Sequence, residues 1–185
     1  LHIEDVKQAV EQYPTAKALF ITNPNYYGIG TSLKPFADLL HEKGMLLLVD
    51  EAHGAHFGFH EEVPASALSQ GADAVVQSTH KMLTAMTMGA MLHVQGPRIN
   101  RGAIRHLLAM LQSSSPSYPI MASLDLARKR MHTDGQTWLE QGLKIMKEFR
   151  AGLEELKGLD FYPRQYPQQS NGRAIETTDP FKIAI

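Results

Sequence analysis

The sequence predicts an α/β domain, present in part: a mostly parallel sheet with helices on both faces. Three observations predict it. Short apolar runs such as "MLLLVD" (45–50) lack the polar alternation of a one-sided sheet. A helical pattern lies between two such runs, and a strand, helix, strand succession of that length favours a right-handed parallel crossover. The runs close on turn formers or on polar residues, as strands that deliver groups to a sheet edge do.

The elements follow in order. "KALFITN" (17–23) reads as a buried strand closed by the turn cluster "NPNYYG". "TSLKPFADLLHEKG" offers Thr31 or Ser32 as N-cap, Leu33, Phe36, Ala37 and Leu40 at helical spacing, and Gly44 as the stop. "MLLLVD", "ADAVVQS" (72–78) and "AMLHV" (90–94) are three more strands. "RINRGAIRHLLAMLQ" places Ile99, Ala103, Leu107 and Leu111 on one stripe, with Ile104 and Leu108 beside it, an amphipathic helix. After the break "SSSPSYP" (113–119) and the segment "IMASLDLARKRM", a long helix is expected over 133–158, with Leu139, Leu143, Met146, Leu153 and Leu156 as its apolar face. The polar, proline-bearing "FYPRQYPQQSNGRAIETTDP" reads as a linker before a strand at 181–185. The expected division is therefore a main domain over 1–132, a connecting helix over 133–158, and a linker with the start of another domain over 159–185.

Bulk properties exclude several classes. The 185 residues are 43% hydrophobic and 20% charged, ordinary for a soluble globular protein. A net charge of −1 without a basic cluster argues against nucleic acid as a partner. No apolar run approaches the ~20 residues that span a bilayer, and these residues show no signal-peptide pattern; a cytoplasmic location without a membrane partner is the expectation. Zero cysteines excludes disulfides and thiolate metal sites. His53, His56 and His60 lack a second ligand cluster, so no metal is expected, and His56 and His60 read as turn or packing residues. The chain starts at Leu1 and stops inside "FKIAI", which gives the expectation of a piece of a longer polypeptide.

Ligands of open parallel sheets bind outside the carboxyl ends of the strands. Asn23 and Asn25 follow the first strand, Asp50 and His53 the second, Ser78, His80 and Lys81 the third. "LLLVDEAHGAHFG" (46–58) has two readings. Asp-Glu-Ala-His ends the magnesium-holding strand of a nucleotide-driven helicase, but no GxxxxGK[ST] loop accompanies it here. The same strand can present Asp50 to a pyridinium nitrogen, keeping it protonated so that the ring absorbs a carbanion's electrons. "STHK" favours this second reading. A desolvated lysine is nucleophilic enough to form a Schiff base, and Ser78 and His80 supply donors of the kind that hold a phosphate. Ala52 lies on the same side as Asp50 and is small enough to let a flat ring approach.

"VDEAHGAHFGFH" (49–60), "GADAVVQSTHKMLTAMTMGAMLHV" (71–94) and "SSSPSYPIMASLDLAR" (113–128) resemble the major domain of the Orn/Lys/Arg decarboxylases. These are pyridoxal-phosphate enzymes of the aspartate-aminotransferase fold (the PLP-dependent transferase fold type I), and the branch resembled is the compact one common in Gram-positive bacteria. The resemblance covers roughly 18–130, and "TDPFKIAI" is similar to the start of the family's C-terminal domain. It implies that Lys81 carries pyridoxal 5'-phosphate covalently and that Asp50 pairs with its ring nitrogen. Ala52 would pack on the ring, Ser78 and His80 hold the phosphate, and His53 contact the ring hydroxyl. It also implies a homodimer or higher oligomer, decarboxylation of arginine, lysine or ornithine to a polyamine precursor, and a further phosphate loop and ring-covering side chain upstream of Leu1. "SSSPSYP" would be an active-site loop at a dimer interface. The α-oxoamine synthases also carry a DEAH strand before their lysine, but with a glycine-rich stretch soon after it, where this chain has "MLTAMTMGAML". Those synthases, an aminotransferase, a non-catalytic folding unit and the DEAH-type nucleotide-driven helicase are the alternatives.

Overall fold

A computed structural model describes residues 1–161 and 177–184. Most of the linker expected between 161 and 180 lies outside the described residues. The order is α1 (Ile3–Gln12), β1 (Ala18–Thr22), β2 (Ile29–Gly30), α2 (Lys34–Glu42), β3 (Leu46–Asp50), β4 (Ala74–Gln77), α3 (Thr79–Met82), β5 (Met91–Val94), α4 (Arg101–Leu111), α5 (Tyr118–Glu154) and β6 (Thr177–Thr178). The main sheet runs β1-β3-β4-β5; the first three strands are parallel and β5 is antiparallel to β4. The partial α/β architecture is thus the one the apolar runs predict, mixed at one edge.

The parity of β3 organises the domain. Leu47 and Val49 are fully buried, with Val75 of β4, against Leu33, Phe36, Ala37 and Leu40 at the start and along the inner face of α2 and Val6 of α1. Burying each of these leucines contributes about 2 kcal/mol. Leu46, Leu48 and Asp50 alternate to the other face, where Phe20 is 65% exposed and Val76 and Leu92 are also exposed. Register then aligns the strand ends. Thr22, Asp50 and Val76 are partners in one row across three strands, and the ladder continues through Asn23 N–H to Asp50 O and Glu51 N–H to Val76 O, both 2.9 Å. Everything that follows these three ends therefore meets at one edge of the sheet.

Three local details differ from expectation. Neither Thr31 nor Ser32 caps α2; the N-cap position is Leu33, whose N–H donates to Gln70 Oε1 at 2.6 Å. Thr31 is held elsewhere, its N–H donating to Asn23 Oδ1 at 2.9 Å. Helix α5 begins at Tyr118, well before 133, and runs unbroken. Thr133 does not stop it because its hydroxyl donates back to Lys129 O at 3.2 Å, and Gly135 is buried against Met131, where a Cβ would lie 3.0 Å from Met131 Cε. Finally, the strand expected at 181–185 is not formed through Phe181 and Lys182. The strand is β6, which pairs with β2 (Ile29↔Thr178), and Asp179 then turns the chain by accepting Phe181 N–H on Oδ1 at 2.9 Å.

Candidate active site

The site is built by the segments that leave β3 and β4. Asp50 closes β3 half-buried, and its Oδ1 accepts Ala52 N–H at 2.9 Å, which bends the backbone into the turn carrying His53. Oδ2 makes no hydrogen bond among the described residues. Ser78 stands at the N-cap of α3 without a side-chain cap bond, and one turn of helix carries Lys81 back, Lys81 N–H donating to Ser78 O at 3.0 Å. His80 is fixed twice to one carbonyl: its N–H reaches Gly89 O at 3.1 Å and its Nδ1 the same oxygen at 2.9 Å. Because a carbonyl only accepts, Nδ1 carries the hydrogen and Nε2 faces away from that bond.

The two segments meet at Lys81 Nζ and His53 Nε2, 3.3 Å apart. Burial, the Lys81 charge and the Lys182 charge lower the His53 pKa below the usual imidazole value, against the pull of Asp50 and Asp179. His53 is therefore a neutral acceptor for the Lys81 ammonium near pH 7. Among the described residues its buried Nδ1 has no partner, nor does Thr79 Oγ1 beside Ser78. The Tyr26 ring meets His53 edge-on with centroids 5.2 Å apart. The structure thus brings Asp50, Ala52, His53, Ser78, His80 and Lys81 to one edge of the sheet. The burial expected of Lys81 is not seen. Its side chain is exposed among the described residues, since α3 is one turn projecting from the strand end.

A scan of family models matches the Orn/Lys/Arg decarboxylase major domain over residues 1–181. The chain belongs to this family. Within the Orn/Lys/Arg decarboxylases it is 57% identical to the uncharacterized protein YaaO of Bacillus subtilis, over 97% of this chain and 36% of that protein. It is 38% identical to the arginine decarboxylase of the same organism, over 99% of this chain and 37% of that enzyme. The chain therefore spans little more than a third of the length of the curated relatives it matches. In fold it is similar to the Francisella novicida lysine decarboxylase LdcF, with a TM-score of 0.71, 22% identity, and coverage of 96% of this chain and 29% of that one. The Orn/Lys/Arg decarboxylases are pyridoxal-phosphate enzymes, and the residues here fit that cofactor. A carboxylate, a primary amine, two imidazoles and the Ser78 hydroxyl leave the same sheet edge, and two buried polar atoms there, His53 Nδ1 and Thr79 Oγ1, have no hydrogen-bond partner among the described residues.

Several contributors escaped the motif reading. Glu51 continues the strand parity away from Asp50 into the core, where it is fully buried. It accepts Ala67 N–H and Gln77 Nε2–H, each at 2.7 Å, and Gln77 Oε1 contacts His93 Nε2 at 3.0 Å. Desolvation raises the Glu51 pKa to about 7, the hydrogen bonds from Gln77 and Ala67 opposing it. Alternation alone could have flagged this residue. His56 Nε2 meets Asp179 Oδ1 at 3.1 Å, both buried, and the ring packs against Phe57 and Phe181. No local signal connects those two positions.

Proposed function

We propose that this chain carries the cofactor-holding part of a pyridoxal-phosphate decarboxylase of a basic amino acid (arginine, lysine or ornithine), supplying a polyamine precursor in the cytoplasm as a homodimer or larger oligomer. The observation that carries the reading is the Lys81–His53 contact at the sheet edge where Asp50 emerges. The named arginine decarboxylase among the relatives supports the substrate class.

Bound pyridoxal phosphate supplies an electron sink for the pair of electrons left when the Cα–carboxylate bond breaks. The chain's own residues do the rest. Asp50 offers its unbonded Oδ2 to a ring nitrogen and keeps a proton there. Ala52 leaves room above the turn for a flat ring. Ser78 and the Nε2 edge of His80 would hold the phosphate. Lys81 would be the residue that holds the cofactor, and His53 would take the proton that its ammonium must lose before it can act as a nucleophile. The substrate loses its carboxylate as carbon dioxide and gains one proton at Cα.

The test uses the full-length protein. After incubation with pyridoxal phosphate and reduction with borohydride, peptide mapping should find the cofactor on Lys81. Product analysis with L-arginine, L-lysine and L-ornithine then separates decarboxylation to agmatine, cadaverine or putrescine from the keto products of a transaminase or a synthase. A keto product would refute the decarboxylase reading.

A further inference from the structure

Lys182 is delivered to the same sheet edge from the far end of the chain. Ribbon β2/β6 brings it there: Asp179 N–H donates to Gly28 O at 2.8 Å, and Lys182 N–H to Asp179 O at 3.1 Å. Gly28 makes the approach possible. It sits at φ +79°, and a Cβ on it would lie 2.8 Å from Lys182 Cγ and 2.9 Å from Lys182 Cβ. The lysine stem is therefore seated on bare backbone, which restricts where its amine can go. The carbonyl of Lys182 is in turn held by Arg150 Nη2 at 3.0 Å.

From that seat the ammonium lies 5.8 Å from the centroid of the Tyr26 ring. Tyr26 leads to His53 at 5.2 Å between centroids, and His53 to Lys81 at 3.3 Å. The Lys182 charge is felt at His53, whose pKa it helps to lower. Among the described residues no carboxylate oxygen comes within 4.0 Å of Lys182 Nζ, although Asp50 and Asp179 both lie close enough to act on the same imidazole. A cation set against an aromatic ring and lacking an ion-pair partner among these residues thus lies one ring away from the imidazole that contacts Lys81.

We propose that Lys182 docks the α-carboxylate of the amino-acid substrate, an inference that rests on the decarboxylase reading above. A basic amino acid brings a cation at its far end and a carboxylate beside the reacting carbon. A cation at this position attracts the second and repels the first, so it sets which way round the substrate lies. The ion pair exists only while the carboxylate does. It strengthens binding of the ground state and fades as carbon dioxide leaves, so its removal raises KM and leaves kcat undiminished.

The experiment compares full-length, cofactor-loaded wild type with Lys182→Met and Lys182→Arg. Calorimetric titration with an amino acid and with the amine it would yield (L-arginine and agmatine, L-lysine and cadaverine, L-ornithine and putrescine) isolates the carboxylate. Lys182→Met should weaken the amino acid tenfold or more and the amine less than twofold, with kcat within twofold of wild type or higher; Lys182→Arg should keep most of the affinity. In the cofactor-free protein, NMR should find His53 titrating at higher pH in Lys182→Met, which reports the lost charge without any ligand. Equal weakening of amino acid and amine, or no weakening of either, overturns the assignment while leaving the Lys81 reading intact. If wild type takes no cofactor on Lys81, the parent reading fails first and this one with it.

Discussion

His56 Nε2 lies 3.1 Å from Asp179 Oδ1, joining two fully buried side chains 123 positions apart in the sequence. The contact ties the turn after β3 to the segment after β6, and so holds Lys182 and Gly28 beside the strand ends. It has loose ends of its own: His56 Nδ1, Asp179 Oδ2 and Thr178 Oγ1 are buried without partners among the described residues.

Breaking that pair from one side leaves a desolvated carboxylate, so His56→Phe should cost about 3–5 kcal/mol in spite of its good volume match. Asp179→Asn retains an acceptor for His56 and for Phe181 N–H, and should cost about 1 kcal/mol. Urea denaturation midpoints at constant m-value check both. Equal losses in the two variants would mean that packing, not the polar pair, holds the segment.

Glu51 makes stability depend on pH in a defined direction. Its pKa is 4.5 when unfolded and about 7 when folded, so the folded chain holds the proton more tightly. Below pH 4.5 both states are protonated and nothing is lost. Between pH 4.5 and 7 the unfolded chain releases the proton first, and stability falls by at most about 3 kcal/mol, levelling above pH 7. Glu51→Gln removes this slope. It can also keep the Ala67 bond and give its amide hydrogen to a turned Gln77. Thermal melts should show the variant gaining on wild type from pH 5 to pH 8; parallel curves would show that Glu51 is not the titrating group.

His53→Phe tests the proton acceptor. A phenyl ring retains the edge contact with Tyr26 and removes a buried unpartnered nitrogen, so stability should stay within about 1 kcal/mol of wild type. Covalent attachment of pyridoxal phosphate near pH 7 should slow about tenfold, with the difference closing as pH rises and the amine loses its proton unaided. Stopped-flow absorbance of the attached cofactor measures it. An unchanged rate across the pH range would remove His53 from that role.

Much of this arrangement was legible in the residues, and the reason is locality. An apolar run such as Leu46–Val49 reads as a strand, parity puts Ala52 on the side of Asp50, and the polar residues that close each run mark the sheet edge where ligands bind. What depends on distant partners was not legible. Gln70 takes over the capping of α2 from Thr31 and Ser32, Asp179 receives His56, and Gly28 makes a seat for Lys182, each through contacts that no periodicity records. Helix α1 gives little periodic signal because only Val6 among its residues is buried, leaving a short polar pattern. Helix α5 starts before 133 because Thr133 and Gly135, residues that usually weaken helices, are here satisfied by Lys129 O and by Met131.

The most direct test is the site of cofactor attachment. Full-length wild type and Lys81→Ala are incubated with pyridoxal phosphate, reduced with borohydride, digested and analysed by mass spectrometry. The account predicts a single modified peptide, carrying the label on Lys81, and no label in the variant. A label on another lysine, or one that persists in Lys81→Ala, would contradict it.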